Sequence, residues 1–180
     1  MNQVRIIGGA YRRRLLRFPD AEALRPTPDR VRETLFNWLG QDLEGMRCLD
    51  LFAGSGALGF EAASRGAGRV VMVEQSAKVL GALRDNAALL GNPSAVEIVR
   101  GDALQYVAST KAKFDLIFLD PPYHKGWIPR LAPLLPGVAS ENAAIYVEAE
   151  TELAALGDWR TVRHGKAGEV HFHLMRRETA

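Results

Sequence analysis

Leu49-Asp50-Leu51-Phe52-Ala53-Gly54-Ser55-Gly56-Ala57-Leu58-Gly59 decides the fold. An apolar run ends in three closely spaced glycines, and apolar residues at helical spacing follow. Glycines let a chain turn tightly and let a ligand approach the backbone. The amides that open the next helix are donors without intrahelical partners. This is a strand, a ligand-binding turn and a helix in sequence. The same alternation continues outward. Strands are expected over 48–52, 70–74, 96–99, 114–119 and 143–148, with helices over 58–64, 78–90 and 104–108 between them. A proline-broken helical stretch is expected over 128–135, and 159–163 with 170–175 reads as a terminal antiparallel pair. Alternating strands and helices imply parallel strands covered on both faces. The expectation is an α/β fold with a doubly wound, mainly parallel seven-stranded sheet, a terminal antiparallel strand pair and a small basic N-terminal extension. Ligands in such sheets bind beyond the carboxyl ends of the strands.

The chain has 180 residues, enough for one domain with a substantial core. We read 1–180 as a single domain, with a basic strand or hairpin and helix over 1–40 and a core over 41–180. Hydrophobic and charged fractions of 47% and 24% are those of a globular protein. No apolar stretch near the start reads as a signal peptide, and no window suits a membrane span, so a cytoplasmic protein is expected. The single cysteine, Cys48, excludes an internal disulfide and reads as a buried hydrophobe. The net charge of +2 is uneven. Residues 1–40 hold eight arginines and four acids, hence +4, which leaves −2 for the rest. A basic segment on such a body suits a polyanion. Within it, Thr27 is placed to cap a helix that has Pro28 at its first position and Gly40 just past its end. Val31, Leu35 and Trp38 read as its core face. Arg30, Glu33 and Asn37 fall on the other face.

The glycine turn alone fits either a nicotinamide dinucleotide or S-adenosylmethionine. Glu74 ends the second strand, where an acid can accept bonds from ribose hydroxyls. Two acids favour the methyl donor. Asp50 precedes the glycines, where a carboxylate would repel a pyrophosphate but welcome an ammonium or sulfonium group. Asp102, after the third strand, can accept from an adenine amino group, although capping the following helix is an equally simple role.

The fourth strand, Phe114-Asp115-Leu116-Ile117-Phe118-Leu119, stops at Asp120-Pro121-Pro122-Tyr123. Neither proline can continue a ladder, so nearby carbonyls are left free beside an acid and an aromatic ring. Two acceptors and a stacking face suit a flat molecule with an exocyclic amine. The chemistry suggested is methylation of a nucleobase amine. His171 and His173 alternate on one strand face without a third ligand, so no metal site is expected.

The segments DLFAGSGALGFEAASRGA (50–67), VVMVE (70–74), GDA (101–103) and LDPPY (119–123) resemble class I S-adenosylmethionine-dependent methyltransferases. RIIGG near the start and RPTPDRVRETLFNWL (25–39) narrow the resemblance to the RsmD family. That resemblance implies methyl transfer from S-adenosylmethionine to the N2 amine of one guanine, number 966, in 16S rRNA of the small ribosomal subunit. It implies catalytic residues Asp120, Pro121, Pro122 and Tyr123. Cofactor contacts would come from Asp50, Phe52, Ala53, Gly54, Ser55, Gly56, Glu74, Gln75, Asp102 and Ala103. RNA contacts would come from Arg5, Arg12, Arg13, Arg14, Arg25, Thr27, Arg30 and His124. Lys166 is a further candidate for the RNA backbone. A monomer is expected. The family pattern has a glycine where this chain has Arg13, so a turn with positive φ would be strained there. The alternatives are an adenine-N6 methyltransferase acting on DNA or RNA, an NAD-dependent oxidoreductase, and an RNA-binding protein without catalysis. The chain leaves no room for a separate target-recognition domain of the DNA type.

Overall fold

The computed structural model describes residues 2–20 and 26–178. Arg25 falls outside the described residues. An eight-stranded sheet runs in the order β5-β4-β3-β6-β7-β10-β9-β8. Its parallel part comprises β3 (Arg47–Asp50), β4 (Arg69–Glu74), β5 (Val96–Arg100), β6 (Phe114–Leu119) and β7 (Ala139–Ala149). The antiparallel edge comprises β8 (Ala155–Leu156), β9 (Trp159–Ala167) and β10 (Val170–Arg177). The expected seven strands gain the two-residue β8 at the edge. The chain turns from β3 outward to β4 and β5, then crosses back to β6. The sheet therefore reverses between β3 and β6, where a crevice is expected.

Helices cover both faces. Cys48, Met72, Leu116, Phe118, Ala144 and Tyr146 pack against α1 (Asp29–Leu39), α2 (Ala57–Ser64) and α3 (Ala77–Leu89). Leu49, Val73, Ile117, Leu119, Ile145 and Val147 point the other way, to α4 (Ala103–Ser109), α5 (Trp127–Leu131) and the 3₁₀ turn Ala132–Gly137. The central strands β3, β4, β6 and β7 are buried on both faces, as near-continuous apolar runs predict, while the edge strand β5 is only half-buried.

The basic extension forms a separate hairpin of β1 (Asn2–Arg5) and β2 (Leu15–Phe18). Buried ion pairs hold it. Glu61 on α2 accepts from Ile7 and Gly8 backbone N–H groups at 2.8 and 2.9 Å. The same carboxylate pairs with Arg32 at 3.1 Å and Arg65 at 2.9 Å. Arg32, fully buried, also donates to the carbonyls of Arg5 and Thr27. The arginine count pointed to a polyanion partner. One of those arginines is instead an internal tie between hairpin, α1 and α2. Arg13 has φ 73, so the strain expected at the family's glycine position is present.

Helix α1 begins at Asp29, with Pro28 as its N-cap and no side-chain capping bond. Thr27 does not cap it. Its hydroxyl donates across the fold to Glu148 instead. Gly40 closes α1 in the left-handed region, as expected. Among the described residues no helix is long and apolar enough to cross a membrane.

Candidate functional site

The site grows from the carboxyl ends of β3, β4 and β6. After Asp50 the chain leaves the sheet, and the Glu74 carboxylate holds the turn through backbone N–H groups. Gly54 N–H donates to Glu74 Oε1 at 3.0 Å, and Ser76 N–H donates to Glu74 Oε2 at 2.9 Å. Glu74 thus ties the glycine turn to the end of β4. Gly56 opens α2 at φ 84, and a Cβ there would meet the Phe60 ring at 2.4 Å. A Cβ on Gly59 would meet Met72 Sδ at 2.5 Å, so that glycine lets α2 lie close on β4.

A cavity of about 230 Å³ opens over this turn. Asp50, Phe52, Ala53, Gly54, Ser55, Glu74, Gln75 and Ala103 line it, together with Asp120 and Pro122. Gly56 and Asp102 do not line it. Gly56 shapes the turn, and Asp102 Oδ1 accepts from Leu104 and Gln105 N–H at 2.7 and 3.2 Å as the cap of α4. The capping role is therefore realised, and only Oδ2 is left for an adenine amine.

A second cavity of about 270 Å³ adjoins the first. It is lined by Pro121, Tyr123, His124 and the end of β7, and it shares Pro122 and Trp127 with the first. The two rings of Phe52 and Trp127 meet edge-on, with centroids 5.2 Å apart, and so join the glycine turn to the Asp-Pro-Pro-Tyr loop. His124 has φ 60. Its N–H donates to Glu150 Oε1 and its ring Nδ1 pairs with Oε2, each at 3.0 Å. This clamp fixes the loop that carries Tyr123.

Three acids crowd one edge. Asp50, Asp120 and Glu148 stand at the ends of the adjacent strands β3, β6 and β7. Burial pushes the Asp50 carboxyl up to about 7, and the charges of Glu74 and Glu148 add to it. Burial also lifts Asp120 well above the usual range, helped by the charges of Glu148 and Asp50. Glu148 is raised by burial and drawn back by bonds from Thr27 and Tyr146. An edge this rich in uncompensated carboxylate favours a cationic ligand. A pyrophosphate would meet repulsion there. The turn, Glu74 and the three acids together fit a sulfonium nucleoside with an amino-acid tail.

The structure gathers some of the expected RNA contacts and separates others. Thr27 is buried and lines the first cavity, so it faces the interior instead of an RNA surface. Arg30 is exposed on the first turn of α1, and Arg5 lies 3.9 Å from Asp29. Arg12, Arg13 and Arg14 are exposed but lie elsewhere. Their turn packs on Ser64, where Ala10 N–H donates to the Ser64 carbonyl and Tyr11 N–H to its Oγ. Arg14 donates to the Leu89 carbonyl at the end of α3. Both helices start at the cavity and end at the far side of the sheet. The eight residues of α2 put about 12 Å between these arginines and the site. The sequence reading did not single out Trp127, Glu148 or Glu150. An aromatic four residues past Tyr123 was the available signal for the first. Glu148 had none, because its partner Thr27 is remote in sequence.

Comparisons with known proteins agree with this architecture. The family model "Conserved hypothetical protein 95" matches residues 4–176. The chain is 41% identical to "Ribosomal RNA small subunit methyltransferase D" of Escherichia coli, over 98% of this chain and 91% of that protein. It is 39% identical to the protein of that name from Haemophilus influenzae, over 96% and 93%. A solved structure described as putative methyltransferase yhhF from Escherichia coli superposes with a TM-score of 0.88 at 40% identity, covering 99% of this chain and all of that one. The chain belongs to this family, the RsmD family of methyltransferases.

Proposed function

We propose that this protein transfers a methyl group from S-adenosylmethionine to the N2 amine of a guanine in 16S rRNA, the guanine numbered 966 in the small subunit. The observation that carries the reading is the junction of the two cavities. Asp120 and Pro122 line the same cavity as the glycine turn, and Tyr123 stands in the adjoining one.

Asp50, Glu74, Gln75, Ala103 and the backbone of 52–55 would hold the cofactor, which supplies an electrophilic methyl on a sulfonium. Guanine N2 is a poor nucleophile because its lone pair is delocalised into the ring. Asp120 and the Pro121 carbonyl accept its two hydrogens and turn the lone pair toward the methyl. Tyr123 stacks on the base and keeps water out. Such positioning contributes up to ~7–11 kcal/mol in well-oriented systems. The carboxylate of Asp120 orients first. The methylated nitrogen is acidic, so its proton leaves to Asp120 or to water. A paired base cannot enter, so the target is unpaired or flipped out. Arg5, Arg30 and His124 contact RNA beside the site, and Arg12, Arg13 and Arg14 contact phosphates farther along. The chain acts as a single-domain monomer in the cytoplasm, on the small subunit or an assembly intermediate.

Small subunits lacking the modification, incubated with labelled methyl donor, test the reading. Digested RNA is expected to carry the label as N2-methylguanosine at one position. Label in N6-methyladenosine, or none, rejects it. Asp120→Ala is expected to abolish transfer while leaving RNA affinity within about threefold, since positioning acceptors contribute little to the phosphate contacts that dominate affinity.

A further inference from the structure

Two strand-end carboxyls, not one, stand where the cavities join. β6 and β7 are parallel neighbours with Leu119 opposite Val147. Asp120 and Glu148 follow one residue later on the same face, at the ~4.8 Å spacing of paired strands. Asp120 lines the first cavity and Glu148 the second. Glu148 is 5% exposed. Among the described residues it receives bonds from Thr27 Oγ1 at 2.6 Å and from the Tyr146 hydroxyl at 3.0 Å, and both end on Oε2. Two fixed donors on one oxygen set the carboxylate plane and leave Oε1 for a ligand. Burial raises the Glu148 carboxyl, and the Thr27 and Tyr146 bonds oppose that rise, so the pair complements guanine in its ionised form.

Guanine presents two adjacent donors on its Watson–Crick edge, N1–H and the N2 amine. Adenine presents a donor beside an acceptor, because its N1 carries a lone pair. Paired carboxyls complement the first edge and repel the second. Resting on the reading of this site as a guanine-N2 methylation centre, we propose that Glu148 Oε1 accepts guanine N1–H while Asp120 accepts from N2. Glu148 is then the residue that selects guanine over adenine. Desolvation by the stacked base sharpens the choice, since an acceptor facing an acceptor has no water to relieve it.

The test compares the same small-subunit RNA carrying guanine or 2,6-diaminopurine at the target position. Diaminopurine keeps the N2 amine but has an acceptor at N1. Wild-type enzyme is expected to methylate guanine at least about 100-fold faster, because sites built around a hydrogen bond reject analogues that lack it. In Glu148→Gln the amide can turn its NH2 to N1. The preference is expected to fall at least about tenfold, through loss on guanine and gain on diaminopurine. Equal wild-type rates on both substrates overturn the inference without any variant. An unchanged preference in Glu148→Gln also overturns it and leaves Glu148 a structural residue. Wild-type enzyme that leaves guanine N2 unmethylated is a separate result, and it removes the underlying reading together with this one.

Discussion

Asp50, proposed above to hold the cofactor's cationic end, opposes the stability of the folded chain. Its carboxyl is 1% exposed and pushed up to about 7 by burial. An unfolded aspartate titrates near 3.9. Between those values the native chain binds a proton that the unfolded chain has released, so stability falls as pH rises from about 4 to about 7. The full cost above pH 7 is on the order of 4 kcal/mol. Asp50→Asn is therefore expected to raise the melting temperature at pH 8 and to flatten its pH dependence between pH 5 and 8. A variant that melts below wild type at pH 8 contradicts this. Arg13 carries a smaller penalty of another kind. Its φ of 73 lies where only glycine is at ease. Arg13→Gly is expected to stabilise the chain by about 1 kcal/mol in urea unfolding. If Arg13 also contacts phosphate, the salt slope of RNA binding falls by about one unit.

The hairpin, α1 and α2 act as one element because their polar groups converge on Glu61. The side chains of Arg32 and Glu61 are both inaccessible to solvent. Removing one partner of such a pair leaves a buried charge and costs about 3–5 kcal/mol. Arg32→Met is expected to show that loss in denaturant melts and to expose the hairpin to proteolysis. Resistance equal to wild type would show that the hairpin is held without Arg32, by its bonds to Glu61 and Ser64 and its apolar contacts. This element also marks where sequence legibility ended. Strands β3, β4, β6 and β7 were readable as apolar runs bounded by turn residues, β5 from Val96, Ile98 and Val99, and the glycine turn from its spacing. Thr27 before Pro28 looked like a cap, since local chemistry permits it. A carboxylate 121 residues away took the hydroxyl instead. Asp102 shows the reverse, with a local cap prevailing in the folded chain. The arginines of 12–14 were legible as basic, but their distance from the cavity depends on how α2 and α3 run across the sheet.

Across the whole molecule, the sheet reversal between β3 and β6 brings an acid-rich edge and the Asp-Pro-Pro-Tyr loop to adjoining cavities. In the proposed binding mode the three acids make cofactor binding a proton-linked event. Binding a cation favours the ionised carboxylate, so affinity for S-adenosylmethionine is expected to rise with pH up to about 7 and then level off. Calorimetry in two buffers of different ionisation enthalpy should register proton release below pH 7, and Asp50→Asn should reduce it. Equal heats in both buffers for the wild type would show that the edge is already ionised. The most direct measurement is a crystal structure of the protein with S-adenosylhomocysteine. We predict its nucleoside beside Glu74, its amino-acid tail at Asp50, and its sulfur facing Asp120 and Pro122 where the cavities meet. A sulfur turned away from Asp120, or a ligand seated outside the glycine turn, would contradict a shared site for methyl donor and guanine amine.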